Sequence, residues 1–144
     1  MNRLMLSLLM ASLCATSAWS AEPAKPDDPI AARLFPPELV MIHQQHIGLT
    51  DAQRRAITGA ITALQSKVVD LQWAMTSEQE ALAELLDRPS VDEAAALARA
   101  DRLMELERRV KHEHLATLIR IKNTLKPEQQ ARLRALADGL DSGH

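Results

Sequence analysis

His43 and His46, in the stretch LVMIHQQHIGLTDAQ (residues 39 to 53), stand three apart, a spacing that lets two imidazoles share one face of a helix. Met41 beside them could add a soft thioether. Such donors suit divalent zinc, nickel, cobalt or copper, with zinc the leading candidate. Two imidazoles do not make a site, because tetrahedral zinc needs at least one further protein ligand, from elsewhere in the fold or from a second chain. His112 and His114 are the other internal histidines. Two apart on a helix, they diverge by about 200° and cannot both hold one ion. His114 falls on the side of Val110, Thr117, Leu118 and Ile121 and is the candidate ligand, whereas His112 faces solvent. His144 stands alone at the end of the chain. The alternative is purely structural: polar residues on a short exposed helix for His43 and His46, and a hydrogen-bonded histidine in a helix interface for His114.

Catalysis finds little to work with. HEHLA (residues 112 to 116) begins like the H-E-x-x-H helix of zinc proteases, but the second ligand would have to be residue 116, which is Ala116. A di-iron E-x-x-H pair fails as well, since Val40, His43, Arg109 and Lys111 stand where the glutamates belong. The single cysteine, Cys14, lies near the start, serines are few and no glycine-rich phosphate loop is present. We expect no enzyme and no obligatory cofactor.

These residues sit in a chain whose start does not read as part of a fold. Arg3, the apolar run from Leu4 to Ala15 and the small-x-small triplet Ala18-Trp19-Ser20 have the layout of a secretory signal over residues 1 to 20. The run is too short for a permanent span, and no later segment comes closer, so no transmembrane segment is expected after the signal is removed. Leu13 occupies the position where a lipoprotein signal at Cys14 would need a small residue. Cleavage would take Cys14 with it, so disulfides and thiolate ligands are not expected. Net charge is −2 with both signs mixed, which gives no reason to expect a nucleic-acid partner. About 124 residues would remain, enough for one domain with a modest core. Beyond the leader only Phe35 and Trp73 are aromatic and glycine is scarce, which argues against sandwiches and barrels and for helices.

The elements follow from periodicity. Four prolines over residues 21 to 36 indicate a flexible arm, and Pro37 opens a short helix running to a break at Gly48. From Asp51 to about Asp87, Ile57, Ile61, Leu64, Val68, Leu71, Met75, Leu82 and Leu85 form a heptad-like seam that Glu78 interrupts. Pro89 ends that helix. A second long helix runs from Val91 to about Leu125, and Pro127 opens a last short one that Gly139 closes, ahead of a disordered tail over 139 to 144. The fold class is therefore all-α, a long antiparallel helical hairpin with short flanking helices over residues 37 to 138. Its apolar seam exceeds what two helices cover, so either the end helices fold back over it or a second chain covers it; we expect both, with a homodimer as the commonest symmetric solution. Glu105 with Arg109 and Glu107 with Lys111 are favourably oriented pairs on a solvated face. Trp73 lies off the seam, where it either packs beneath an end helix, which we favour, or offers a flat apolar contact to a client.

Thr50 can cap the first long helix with Gln53 at its third position, a reciprocal capping box. SVDE (Ser90 to Glu93) repeats the device, and LKPEQ has the same outline with Lys126 at the cap and Pro127 next. The pair Leu49-Thr50-x-x-Gln53 and Leu125-x-Pro127-Glu128-Gln129, with the leader and the all-helical pattern, resembles the Spy/CpxP family of periplasmic stress proteins. That family sits in a wider group with zinc-resistance-associated proteins and periplasmic heavy-metal sensors. The resemblance covers residues 37 to 137; LTDAQRRAI and IKNTLKPEQQARL match well, while Lys126 replaces the usual threonine of the second motif. It implies a periplasmic four-helix hooked hairpin that dimerises into a cradle. Members hold unfolded periplasmic proteins without ATP, restrain a membrane sensor kinase, or bind divalent metal. In the metal-sensing members, as the resemblance suggests, a His and a Met lie eight and four residues before the second motif's Leu. Here those positions are Thr117 and Ile121, so that ligand set is not expected to be preserved.

Overall fold

The computed structural model describes residues 28–141. A 3-10 turn at Ala31–Arg33 precedes four helices, α1 (Pro37–Ile42), α2 (Asp51–Leu86), α3 (Glu93–Thr124) and α4 (Pro127–Asp141). The described residues contain no strand. The all-α hairpin expected from the seam is present: α2 and α3 pack against each other, and α1 meets α4 at the open end. At 1.5 Å per residue α2 and α3 are each about 50 Å long. The leader, the first part of the arm and the tail with His144 lie outside the described residues.

Ile57, Val68 and Leu71 of α2 are buried against α3, whose Ala96, Thr117 and Ile121 are buried in return. Glu78 sits in this seam because two guanidinium groups reach it, Arg99 at 2.9 Å and Arg102 at 4.0 Å. Lys67 and Glu113 pair at 2.9 Å further down. Together these pairs mark the antiparallel register, since eleven residues up α2 from Lys67 to Glu78 match eleven down α3 from Glu113 to Arg102.

The densest core lies at the open end, where Phe35, Val40, Ile47, Ile57, Ile121, Leu125 and Leu133 form one cluster drawn from every helix and from the chain before α1. Burial of such side chains contributes roughly 1.5–3 kcal/mol each, which is what holds the hook closed. Phe35 belongs to the segment expected to be a free arm, so the last residues of that segment are core, not linker.

Several local expectations are corrected. α1 ends at Ile42, and residues 43–48 are turns closed by Gly48, whose φ of 63° suits glycine. The cap of α3 is Asp92, whose carboxylate accepts from the Ala95 amide at 3.0 Å, in place of Ser90. α4 continues through Gly139 to Asp141. Glu105 pairs with Arg108, one turn away at i+3, and not with Arg109.

Candidate functional site

The two motifs meet. At the start of α2 the Thr50 hydroxyl accepts from the Gln53 amide at 3.2 Å, and the Gln53 side-chain oxygen accepts from the Thr50 amide at 3.1 Å, a complete capping box. At the start of α4 only half of that box exists. The Lys126 amide donates to the Gln129 side-chain oxygen at 2.9 Å, and no hydroxyl answers it because residue 126 is lysine. Pro127 occupies the first helical position, where its missing N–H costs nothing, and Glu128 stands exposed in the first turn near the positive end of the helix dipole. The helix therefore starts where the complete motif would start it.

Each glutamine then uses its remaining amide hydrogens across the fold. Gln53 donates to the Thr124 carbonyl and to the Gln129 side-chain oxygen, both at 2.8 Å. Gln129 donates to the Gln53 side-chain oxygen at 3.1 Å and to the carbonyls of Ile47 and Gly48 at 3.3 and 3.2 Å. Leu125 is buried and Leu49 packs against the same cluster. The motifs are thus a clasp that ties the loop before α2 to the loop before α4.

The histidines divide differently from expectation. His43 caps the C-terminus of α1 and is only 8% exposed, with neither ring nitrogen hydrogen-bonded among the described residues. His46 is exposed, and its ring stands edge-on to that of His43 at 5.9 Å between centroids. Met41 points outward with Ile42. His114, expected beside the seam, is exposed like His112, because Val110, Glu113 and Thr117 take the inward positions and rotate it away. Sequence spacing could have shown the burial of His43: Val40, His43 and Ile47 follow steps of three and four, the rhythm of an inward face. Thr117 is also buried with its hydroxyl unpartnered among the described residues, and Ile121 is fully enclosed in the core.

These donors do not complete a zinc site among the described residues. His43 has the unpartnered nitrogens a ligand requires, yet among the described residues no three His, Cys, Asp or Glu side chains converge. His114 lies far down α3 from the α1 turn, and Thr117 and Ile121 offer a hydroxyl and a hydrocarbon where soft donors would be needed.

A second set of features lies in the other half of the hairpin. Trp73 is 73% exposed, which overturns the favoured packing beneath an end helix: α1 and α4 cover the open end and leave the middle of α2 bare. Val69, Leu97 and Met104 are exposed as well. A groove of about 550 Å³ opens between the helices, lined by Ala74, Ser77, Glu78, Asp101, Arg102, Glu105 and Leu106. Its small residues explain it, since Ala74 and Ser77 leave room that larger side chains would fill. Two carboxyls on α3 are held below the ordinary range. The Arg108 guanidinium lowers Glu105 by hydrogen bonding, and the Lys67 ammonium does the same for Glu113. No helix among the described residues is long and apolar enough to cross a membrane.

A family model described as heavy-metal resistance matches residues 3–136. No curated protein and no solved structure matches the chain.

Proposed function

The chain belongs to the heavy-metal resistance family, and from that premise we propose that it serves resistance as a non-enzymatic, ATP-independent holder of partly unfolded proteins in the periplasm. The observation that carries this reading is the exposure of Trp73, together with Val69, Leu97 and Met104, on the outside of a hairpin whose open end is already sealed by its own core. Large apolar side chains left bare on rigid helices are costly in water and are what a protein that captures apolar segments must present. A dimer would multiply such contacts without a further binding site. Purified protein should delay aggregation of a heat-denatured client without nucleotide, and Trp73→Ser should weaken the effect without unfolding the helices. Unchanged aggregation at molar excess would rule the reading out.

A second reading, direct binding of divalent metal, is favoured by one observation: both nitrogens of buried His43 lack partners among the described residues while His46 stands next to it. The remaining ligands would come from solvent, a second copy or residues outside 28–141. Calorimetric titration with zinc, nickel, cobalt and copper tests it, with His43→Ala and His46→Ala as controls. Binding weaker than about 10 μM, roughly 7 kcal/mol, would exclude a sensor role.

A further inference from the structure

We propose that the tip half of the hairpin docks protein segments that combine basic with apolar residues, so that the protein prefers positively charged clients; this rests on the client-holding reading above. Residues 74–106 hold eight carboxylates against three guanidinium groups, a net −5, whereas the whole chain is −2. The rest of the molecule is therefore net positive, and the negative potential is concentrated at the tip.

The arrangement of these charges says more than their number. Arg99 and Arg102 are committed to Glu78, and Glu105 to Arg108. Glu80, Glu84, Asp87, Glu93 and Asp101 have no hydrogen-bond or ion-pair partner among the described residues. On α2 and its C-cap Asp87, the steps Val69, Trp73, Glu80, Glu84 and Asp87 are four, seven, four and three, so all five share the outward face. On α3, Glu93, Leu97, Asp101 and Met104 follow steps of four, four and three and alternate carboxylate with exposed apolar side chain. Both strips thus offer an apolar anchor within one helical turn or two of an uncommitted carboxylate, and Asp101 also borders the groove between the helices. Lysine and arginine match this surface with both parts of their side chains, the apolar stem on Leu97, Met104 or Trp73 and the charged head on the carboxylate. An acidic segment would meet like charge at every such position.

The test uses the full chain and two dye-labelled synthetic peptides of equal length, one of Lys, Leu and Gly and one with Glu in place of Lys, read by fluorescence anisotropy. The Lys peptide should bind at least about tenfold more tightly, about 1.4 kcal/mol, and more weakly as salt rises. The triple variant Glu80→Gln, Glu84→Gln, Asp101→Asn should remove most of that preference while helicity and thermal stability stay as they were. Trp73→Ser should weaken binding without changing the preference. Equal binding of both peptides, or a preference that survives the triple variant, overturns the proposal. If the protein suppresses aggregation but binds neither peptide, the charge preference falls and the holding activity stands; if it does neither, both fall.

Discussion

The side-chain amides of Gln53 and Gln129 lie head to head, Gln53 donating at 2.8 Å and Gln129 donating back at 3.1 Å, although 76 residues separate them. Each already serves as the third-position residue of its own helix start. Helix initiation and tertiary closure therefore run through the same two side chains, and the chain cannot form the hook without placing both motifs in register.

Removing either glutamine should destabilise the fold by about 1–3 kcal/mol, because the surviving partner is left with unpaired amide groups in a half-buried place. Gln53→Ala and Gln129→Ala together should cost less than the two separate losses added, with a coupling of about 0.5–3 kcal/mol in urea unfolding. Strict additivity would contradict the clasp.

The two caps give opposite expectations. Thr50→Ala deletes a working acceptor and should cost about 1 kcal/mol. Lys126→Thr supplies the acceptor missing at α4 and should stabilise by a comparable amount, about 0.5–1 kcal/mol. Thermal unfolding of the pair decides the matter; a destabilised Lys126→Thr would mean that α4 begins in a geometry that the hydroxyl cannot use.

His43 and Thr117 bury polar atoms that have no hydrogen-bond partner among the described residues. His43→Leu and Thr117→Val should each raise stability by about 1 kcal/mol or more by removing that desolvation cost. His43→Leu should also abolish any metal response. A lower denaturation midpoint for either variant would show that these atoms do have a partner in solution.

The Lys67 to Glu113 hydrogen bond, opposed by partial burial, holds the Glu113 carboxyl below the ordinary range. A folded-state value below the unfolded one means that the pair stabilises the protein above the unfolded value, and that this contribution is lost as pH falls through the folded one. Lys67→Met should return the Glu113 titration, followed by carboxyl-carbon NMR, to the ordinary carboxylate range and flatten the acid side of the stability curve. An unmoved titration would assign the shift to His112 or Arg120.

The sequence by itself determined the helices, because a seam of steps of three and four, prolines at helix starts and a threonine three residues before a glutamine act within one or two turns of the chain. It also showed the pairing of the motifs as a pattern. Three things were decided only by tertiary structure: that Gln53 meets Gln129, that His114 turns away from the core, and that Trp73 stays bare. The reason is physical. A helical face is legible from spacing, but which neighbour covers that face depends on how far the end helices reach, and α1 and α4 reach only the open end of a hairpin about 50 Å long. The choice of Asp92 over Ser90 as cap was within sequence reach, since both residue types serve there, but only the backbone path at the turn selects between them. Burial and contact between distant residues follow from packing, and packing is where this chain's exposed apolar and acidic tip, and the enclosure of His43 beside an exposed His46, were decided.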